Sequence, residues 1–385
     1  MPTPIVIATI LRPEGETGVQ THFQALASWL ARSPGRVRIV TPFDAPNYLL
    51  YPLFGLRKLI YPLHTTASVW WYRHWHRVLL RKTLAEQLAD GAPCIVYAQC
   101  PLSAQAAMQA RQSTAQRVVM VVHFNVSQAD EWAGKGLISA TGRLYRAIAT
   151  LEASLLPQLD GIVYVSQFMR RELIQRIPAV AQVPSEIIPN FLADPGELGS
   201  QAPHLDHLIC IGTLEPRKNQ RYALQIIAAT KALGTPLRLT LVGDGPDRAA
   251  LKAMAAELGI EQLVRFAGYV PQAASLMVQH RAYLHVAQIE NCPFVLIEAM
   301  SRGLPVFAPA TGGVPETFND GVEGRFIPLD DATQAAQRLL DWFAGAQYLP
   351  LAARAARVRF LERFEADKTA GRLAEFLQVP ALVRG

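Results

Sequence analysis

Two glutamates eight residues apart, Glu290 and Glu298, bracket the run Asn291-Cys292-Pro293-Phe294-Val295-Leu296-Ile297. Proline suits the first position of a helix, where its missing N–H would have no partner anyway. The amides of Phe294 and Val295 would then point out of the helix N-terminus, where free N–H groups and the helix dipole make a site for a phosphate. Glu290, before the turn, can reach hydroxyls beside that phosphate. Glu298, further along, can accept from the two hydroxyls of a ribose. A pair of ordinary surface carboxylates is the competing reading. It is the weaker one, because Glu298 lies among Phe294, Val295, Leu296, Ile297, Ala299 and Met300, where an unpaired charge is costly.

A second anion site is suggested further upstream. A strand ends at Gly212, and Glu215-Pro216-Arg217-Lys218-Asn219 leads into a helix rich in Ala, Leu and Ile. Arg217 and Lys218 would stand at the start of that helix, where the dipole favours acids. Cations make sense there when an anion fills the space between them, although a solvated pair is common in general. Gly18, opening a helical pattern, lets a phosphate approach a backbone without a Cβ. His123 closes the strand Val118–Val122. A lone histidine at a strand end is more often a hydrogen-bonded structural residue than a catalytic one.

These residues hang on an alternation of short β-branched runs with longer amphipathic stretches, the pattern of parallel sheets covered by helices. In the first half Ile5–Thr9, Val37–Thr41, Ile95–Ala98, Val118–Val122 and Ile162–Val165 read as strands. The helix from Gly18 repeats Phe23, Leu26, Ala27 and Leu30 at helical spacing. Leu208–Ile211, Leu237–Val242, Val264–Phe266, Tyr283–Val286 and Val306–Ala308 continue the rhythm. Turn formers concentrate between Pro189 and Leu205 (Pro189, Asp194, Pro195, Gly196, Gly199, Ser200, Pro203) and mark the break between halves. The fold class expected is therefore α/β, with two doubly wound, Rossmann-like domains facing each other across a cleft. From Arg354 the tail is helical in pattern, with Arg354, Arg357, Arg359 and Arg363 on exposed faces.

Asn47–Arg81 breaks the alternation. It mixes rings and cations, among them Tyr48, Tyr51, Arg57, Lys58, Tyr61, Arg73 and three of the six tryptophans within Trp70–Trp75. Such a mixture suits a membrane–water interface with anionic lipid. It equally suits an irregular insert whose aromatics fold back onto the core. Stacking on single-stranded nucleic acid ranks below both, since no RNA- or DNA-binding motif accompanies it.

Composition narrows the classes. A chain of 385 residues with 50% hydrophobic content has material for two or three domains and argues against disorder. No apolar run approaches the ~20 residues of a membrane span, and Met1–Thr9 lacks the features of a signal peptide. Cys94, Cys100, Cys210 and Cys292 have no zinc-ligand spacing and are too few for a disulfide framework, which suggests a reduced, cytoplasmic protein. The +6 net charge fits nucleic acid, an anionic membrane or a phosphorylated substrate and selects none. His204 with His207, and His74 with His76, come without cysteine or carboxylate clusters, so no metal is expected. Gly243-Asp244-Gly245 has Arg248 where a dinucleotide fingerprint needs its third glycine. Hydrolase elbows and P-loops are absent from the sequence.

Taken in order, the pieces resemble a family. Glu290…Glu298, Ala299-Met300-Ser301-Arg302-Gly303-Leu304-Pro305-Val306 and Gly312-Gly313-Val314-Pro315-Glu316 are similar to the signature of retaining GT-B glycosyltransferases of family four. So are Thr17-Gly18-Val19-Gln20-Thr21-His22, Val121-Val122-His123, Glu152 with Asp160–Ser166, Ile188-Pro189-Asn190, Ile211–Asn219 and Leu241–Pro246. The resemblance implies an acceptor-side domain over 1–190, a nucleotide-sugar domain over 191–353 and C-terminal helices over 354–385 packing back toward the first domain. It implies transfer of a sugar, with retention, from a nucleoside diphosphate sugar to an acceptor hydroxyl, without a separate cofactor or metal. Lys218 and Arg217 would hold the diphosphate, Glu290 the sugar, Glu298 the ribose, and His123 would lie near the transferred sugar; Gly18, Gly212, Phe294 and Val295 would cradle phosphate. Where the family often has arginine this chain has Thr213, and Pro293 replaces the commoner glycine. The expected acceptor is a lipid-linked saccharide or oligosaccharide at the inner face of the plasma membrane, reached through Asn47–Arg81. Alternatives are a relative that acts on the sugar nucleotide itself, as an epimerase does, and a non-enzymatic basic binding protein of membrane surfaces.

Overall fold

A computed structural model describes residues 3–15, 17–32, 37–196, 206–345 and 347–379. His204 and the Gly199, Ser200 and Pro203 part of the expected linker lie outside the described residues. The chain divides into two compact units, Met1–Pro189 with Thr369–Gly385, and Asn190–Lys368. No helix among the described residues is long and apolar enough to cross a membrane.

The first unit contains β1 (Ile5–Ala8), β2 (Val37–Val40), β3 (Cys94–Ala98), β4 (Gln116–Val122), β5 (Gly161–Tyr164) and β6 (Ser185–Ile187). They form one parallel sheet in the order β2-β1-β3-β4-β5-β6. Its central strands read as unbroken apolar runs because a parallel sheet is buried on both faces. Val118 through Val122 are wholly enclosed, and each such side chain stabilises the fold by about 1.5–3 kcal/mol. The edge strand β6 has no counterpart in the sequence reading: three partly exposed residues, two of them polar, carry no pattern.

The first helix, α1 (Gly18–Ala31), begins at Gly18 as expected. The Thr17 hydroxyl accepts from the Gln20 amide at 3.4 Å, and Gln20 Oε1 accepts from the Thr17 amide at 3.2 Å. This reciprocal cap satisfies two otherwise orphaned donors. Phe23, Leu26 and Leu30 then face the core, with His22 among them.

Asn47–Arg81 is helical rather than irregular. It forms α2 (Asn47–Ile60) and most of α3 (Thr65–Gln87); Pro52 inside α2 removes a single helical donor. Along α3 the buried residues include Val69, Leu79, Leu80 and Leu84 but also Arg73 and His76. Both polar groups are satisfied, as burial demands: Arg73 Nη1 donates to Gln128 Oε1 at 2.9 Å, and His76 Nδ1 donates to the Tyr72 carbonyl at 2.7 Å. Trp71 Nε1 ties α3 to α2 through the Leu53 carbonyl at 2.8 Å. The aromatics therefore divide. Those of α3 mostly turn inward, while Tyr48 and Tyr51 on α2 are 72% and 74% exposed.

The second unit repeats the architecture with β7 (Asp206–Ile211), β8 (Leu239–Val242), β9 (Val264–Gly268), β10 (His280–Leu284), β11 (Val306–Ala308) and β12 (Gly324–Phe326). The order is β12-β11-β10-β7-β8-β9, again parallel. After β8, Gly243 (φ +134°) passes so close to the Gly212 carbonyl that a Cβ would overlap it. The tail helix Tyr348–Arg363 starts ahead of Arg354. Arg354 and Arg363 are exposed as expected, but Arg357 and Arg359 are not. Arg357 pairs with the Asp194 carboxylate at 2.7 Å and donates to the Ser301 carbonyl at 2.9 Å. Arg359 Nε donates to the Thr317 carbonyl at 2.5 Å; these carbonyl acceptors escape a reading of charge spacing.

The final helix, Ala366–Gln378, ends against the first sheet. Arg117 Nη1 donates to the Leu377 carbonyl at 3.0 Å, and Thr3 and Gln378 exchange hydrogen bonds of 2.9 and 3.0 Å.

Candidate functional site

The second unit gathers Lys218, Arg217 and Glu290. Lys218 Nζ lies 2.5 Å from Glu290 Oε1, and Arg217 Nη1 reaches the same oxygen at 3.3 Å. Arg217 Nη2 also donates to Glu215 Oε1 at 3.1 Å. The two cations do not open the helix Gln220–Ala232. They sit one turn earlier, in the short 3₁₀ turn Pro216–Lys218, which Asn219 ends at φ +57°. Asparagine tolerates this left-handed geometry better than most residues. Gln220 Nε2 fastens the loop by donating to the Thr213 carbonyl at 2.9 Å.

Glu290 is buried, and its own backbone is clamped. Gly313 donates its amide to the Glu290 carbonyl at 2.8 Å. Gly312 (φ +59°) packs so tightly on that carbonyl that a Cβ would collide with it. Asn190 Nδ2 donates to the Cys292 carbonyl at 2.7 Å and fixes the turn's other side. Burial alone would raise the Glu290 carboxyl; Lys218 and Arg217 outweigh it and hold the group below its ordinary range, so it is ionised at neutral pH. Cys292 is no nucleophile in this setting, because burial pushes its thiol up to about 12.

Pro293 is the residue before the helix rather than its first member. Its ψ of 119° is extended, and the helix runs Phe294–Ser301 with no side chain capping its start. The amides of Phe294 and Val295 thus open the helix, one position from where a proline in the first turn would have set it. Glu298 is half-buried in the same helix, and its charge acts on Tyr283 and Arg302.

His285 escaped the sequence reading. It follows β10, is 4% exposed, and has its Nε2 shielded from water with no hydrogen-bond partner. Burial drives its pKa down to about 4 against the pull of Glu290, leaving a neutral ring beside an ionised carboxylate. Its position at the C-terminal end of a strand, where parallel sheets place their ligands, was the available signal.

The first unit holds the remaining candidates. Gly18 is exposed at the start of α1. His123 follows β4 and meets His22 edge-on, with ring centroids 4.7 Å apart. His123 Nε2 lies 3.4 Å from Gln99 Oε1, and His22 Nε2 lies 3.0 Å from the Tyr97 hydroxyl. Desolvation first, and His22 second, hold His123 well below its ordinary pKa.

Two helix-covered parallel sheets of six strands, each with its candidate residues at the C-terminal strand ends, define the GT-B fold. The family described as Glycosyltransferase Family 4 matches residues 17–193, and Glycosyl transferases group 1 matches residues 204–357. The chain belongs to the family 4 glycosyltransferases. Similar curated proteins include a GDP-mannose-dependent alpha-(1-6)-phosphatidylinositol monomannoside mannosyltransferase of Mycolicibacterium smegmatis, 28% identical over 44% of this chain and 47% of that protein. The amylovoran biosynthesis glycosyltransferase AmsK of Erwinia amylovora is 28% identical over 44% of each. The match thus spans about half or less of these relatives' length. Among solved structures, HepE of Anabaena in complex with UDP and glucose is similar at a TM-score of 0.68 and 17% identity, over 99% of this chain and 100% of that one. Sucrose-phosphate synthase from Thermosynechococcus elongatus gives 0.74 at 16% identity, over 97% and 98%.

Proposed function

We propose that the protein transfers a sugar, with retained anomeric configuration, from a nucleoside diphosphate sugar to an acceptor hydroxyl in polysaccharide or glycolipid synthesis. The observation that carries this reading is the buried, ionised Glu290 held on one oxygen by Lys218 and Arg217. In the transfer, the acceptor oxygen bonds to the anomeric carbon as the bond from that carbon to the β-phosphate oxygen breaks. The leaving diphosphate takes the acceptor's proton. Lys218, Arg217 and the amides of Phe294 and Val295 stabilise the growing negative charge, and fixed donors of this kind usually lower a barrier more than any other device of a site. Glu290 holds the sugar's hydroxyls and orients the anomeric carbon, and Glu298 takes the ribose hydroxyls. Gly212 leaves room for the Lys218 stem and the diphosphate. On the acceptor side, His123 stands as a neutral hydrogen-bonding group and Gly18 allows close approach.

The acceptor we propose is a lipid-linked saccharide. Support comes from the exposed rings of α2 with Arg57 and Lys58 at its end, a combination that docks on anionic lipid.

Thermal shift with UDP-, GDP-, ADP- and TDP-sugars tests the donor site on wild type, Glu290→Ala and Lys218→Ala. A donor at about 100 times its dissociation constant stabilises by about 2.7 kcal/mol, or a few degrees. A shift from one nucleotide sugar, lost in both variants, is expected. No shift from any of them overturns the reading.

A further inference from the structure

Beside the C-terminal ends of β1 and β2, the first unit carries a cavity of about 650 Å³ that is open to solvent. That is the size of sites that take small organic molecules. On α2 it is lined by Phe54, Arg57, Lys58 and Tyr61, spaced so that they share one face of the helix. The exposed Tyr48, Tyr51 and Leu59 lie about a third of a turn further round the same helix. The loop after β1 also lines the cavity, through Ile10, Leu11, Arg12 and Glu14. Gln20 shapes that loop: its Nε2 donates to the carbonyls of Arg12 and Glu14 at 2.9 and 2.7 Å.

The charge in this cavity is unbalanced. The Arg12 guanidinium lies 4.3 Å from the centre of the Phe43 ring, and that of Arg57 lies 4.7 Å from the centre of the Tyr72 ring. Among the described residues neither guanidinium pairs with a carboxylate. Arg57 Nε is shielded from water with no acceptor. Stacking fixes a guanidinium's plane and leaves its N–H edge for a planar or tetrahedral anion. Lys58 adds a third cation; among the described lining residues the one acid is Glu14. His76 spends Nδ1 on the Tyr72 carbonyl, so Nε2 remains an acceptor for a hydroxyl. The rest of the wall is apolar and aromatic, which rewards a chain or ring and not a bare anion.

We propose that this cavity binds a phosphoryl group carried on an apolar chain, with Arg12 and Arg57 on the phosphoryl oxygens and Phe43, Phe54 and Tyr61 around the chain. Calling that molecule the acceptor rests on the transferase reading above; the binding itself does not. Because Arg57 and Lys58 follow the exposed rings of α2, such a ligand enters from the surface proposed to meet lipid.

Calorimetric titration of the full chain tests the proposal with decyl phosphate kept below its micelle concentration. Decyl glucoside serves as the neutral amphiphile, and glycerol 3-phosphate as the phosphate without a chain. Saturable one-to-one binding of decyl phosphate is expected, with both controls at least about ten-fold weaker. Arg57→Gln and Arg12→Gln should each weaken decyl phosphate about ten-fold, and Arg57→Lys should recover part of the loss. Unchanged thermal shifts with the nucleotide sugar show that these variants are folded. Equal binding of decyl glucoside, or wild-type affinity in both glutamine variants, overturns phosphoryl recognition. Glycerol 3-phosphate binding as tightly as decyl phosphate overturns the apolar chain and assigns the cavity to a soluble phosphate. Decyl phosphate binding without any nucleotide-sugar shift leaves the cavity standing and removes the transferase reading; the reverse pattern removes the cavity alone.

Discussion

Glu290 and Lys218 share a contact of 2.5 Å, on the carboxylate oxygen that Arg217 also reaches. On the proposed function a diphosphate would use the same two cations, so carboxylate and diphosphate would compete for them. Glu290→Gln should bind a bare nucleoside diphosphate severalfold more tightly, because both cations are released. Its turnover should nevertheless fall by about a hundred-fold or more, since on the proposed function this group orients the sugar. Equilibrium titration set beside initial rates checks the pair of effects. Weaker diphosphate binding in the glutamine variant would refute the competition.

Gly312 should not tolerate alanine. Its φ of +59° and its contact with the Glu290 carbonyl leave no place for a Cβ, so Gly312→Ala should cost about 1–3 kcal/mol. Donor turnover should fall further than that loss implies, measured at a temperature where the variant is still folded, because Glu290 is displaced with its backbone. A thermal melt and a kcat–KM comparison separate the two effects.

Stability should decline between pH 6.5 and about 4. Burial lowers His76 and His285 from 6.5 to about 4 each. In that window the unfolded chain takes up the protons and the folded chain does not, so each histidine weakens the fold as pH falls, by an eventual ~3 kcal/mol. Above pH 6.5 neither contributes. The depressed Glu290 acts lower down: its contribution is complete above its ordinary 4.5 and is lost as pH falls through its folded value. Denaturant unfolding at pH 7.5, 5.5 and 4.5 measures the slope, which His76→Phe should flatten. A slope unchanged by that substitution would assign it to other groups.

The exposed face of α2 offers a test that leaves the core alone. Tyr51 is 74% and Leu59 67% exposed, so Tyr51→Ser with Leu59→Ser should change stability by no more than about 0.5 kcal/mol each. Cosedimentation with anionic liposomes at low salt should fall strongly. Wild-type protein remaining wholly soluble under those conditions would remove the membrane proposal altogether.

Much of this arrangement was legible because strong local signals agreed. Runs such as Val118–Val122 can be little other than buried parallel strands, and Glu290, Arg217 and Lys218, each singled out by residue type and position, do meet in the second unit. What stayed hidden had weak or conflicting signals. Ser185–Ile187 and Gly324–Phe326 are three-residue edge strands, too short to show alternation. The helix α3 buries Arg73 and His76 in its middle, which breaks the apolar stripe that marks most helices. Its partners, Gln128 and the Tyr72 carbonyl, become visible only once the chain is folded. His285 gave no signal beyond one histidine after a strand.

Because Thr369–Gly385 groups with Met1–Pro189, the first unit is not one continuous stretch of chain. A fragment stopped at Pro189 would lack the partner of Thr3 and the carbonyl that Arg117 uses, and would expose the seat of the last helix. Cutting the gene at the break between the halves therefore yields no self-sufficient piece on the amino-terminal side. For engineering, amino-terminal and carboxy-terminal halves from different relatives are interchangeable only if the last helix travels with the amino-terminal half. Swaps made at a single junction near Asn190 mismatch that helix with its sheet.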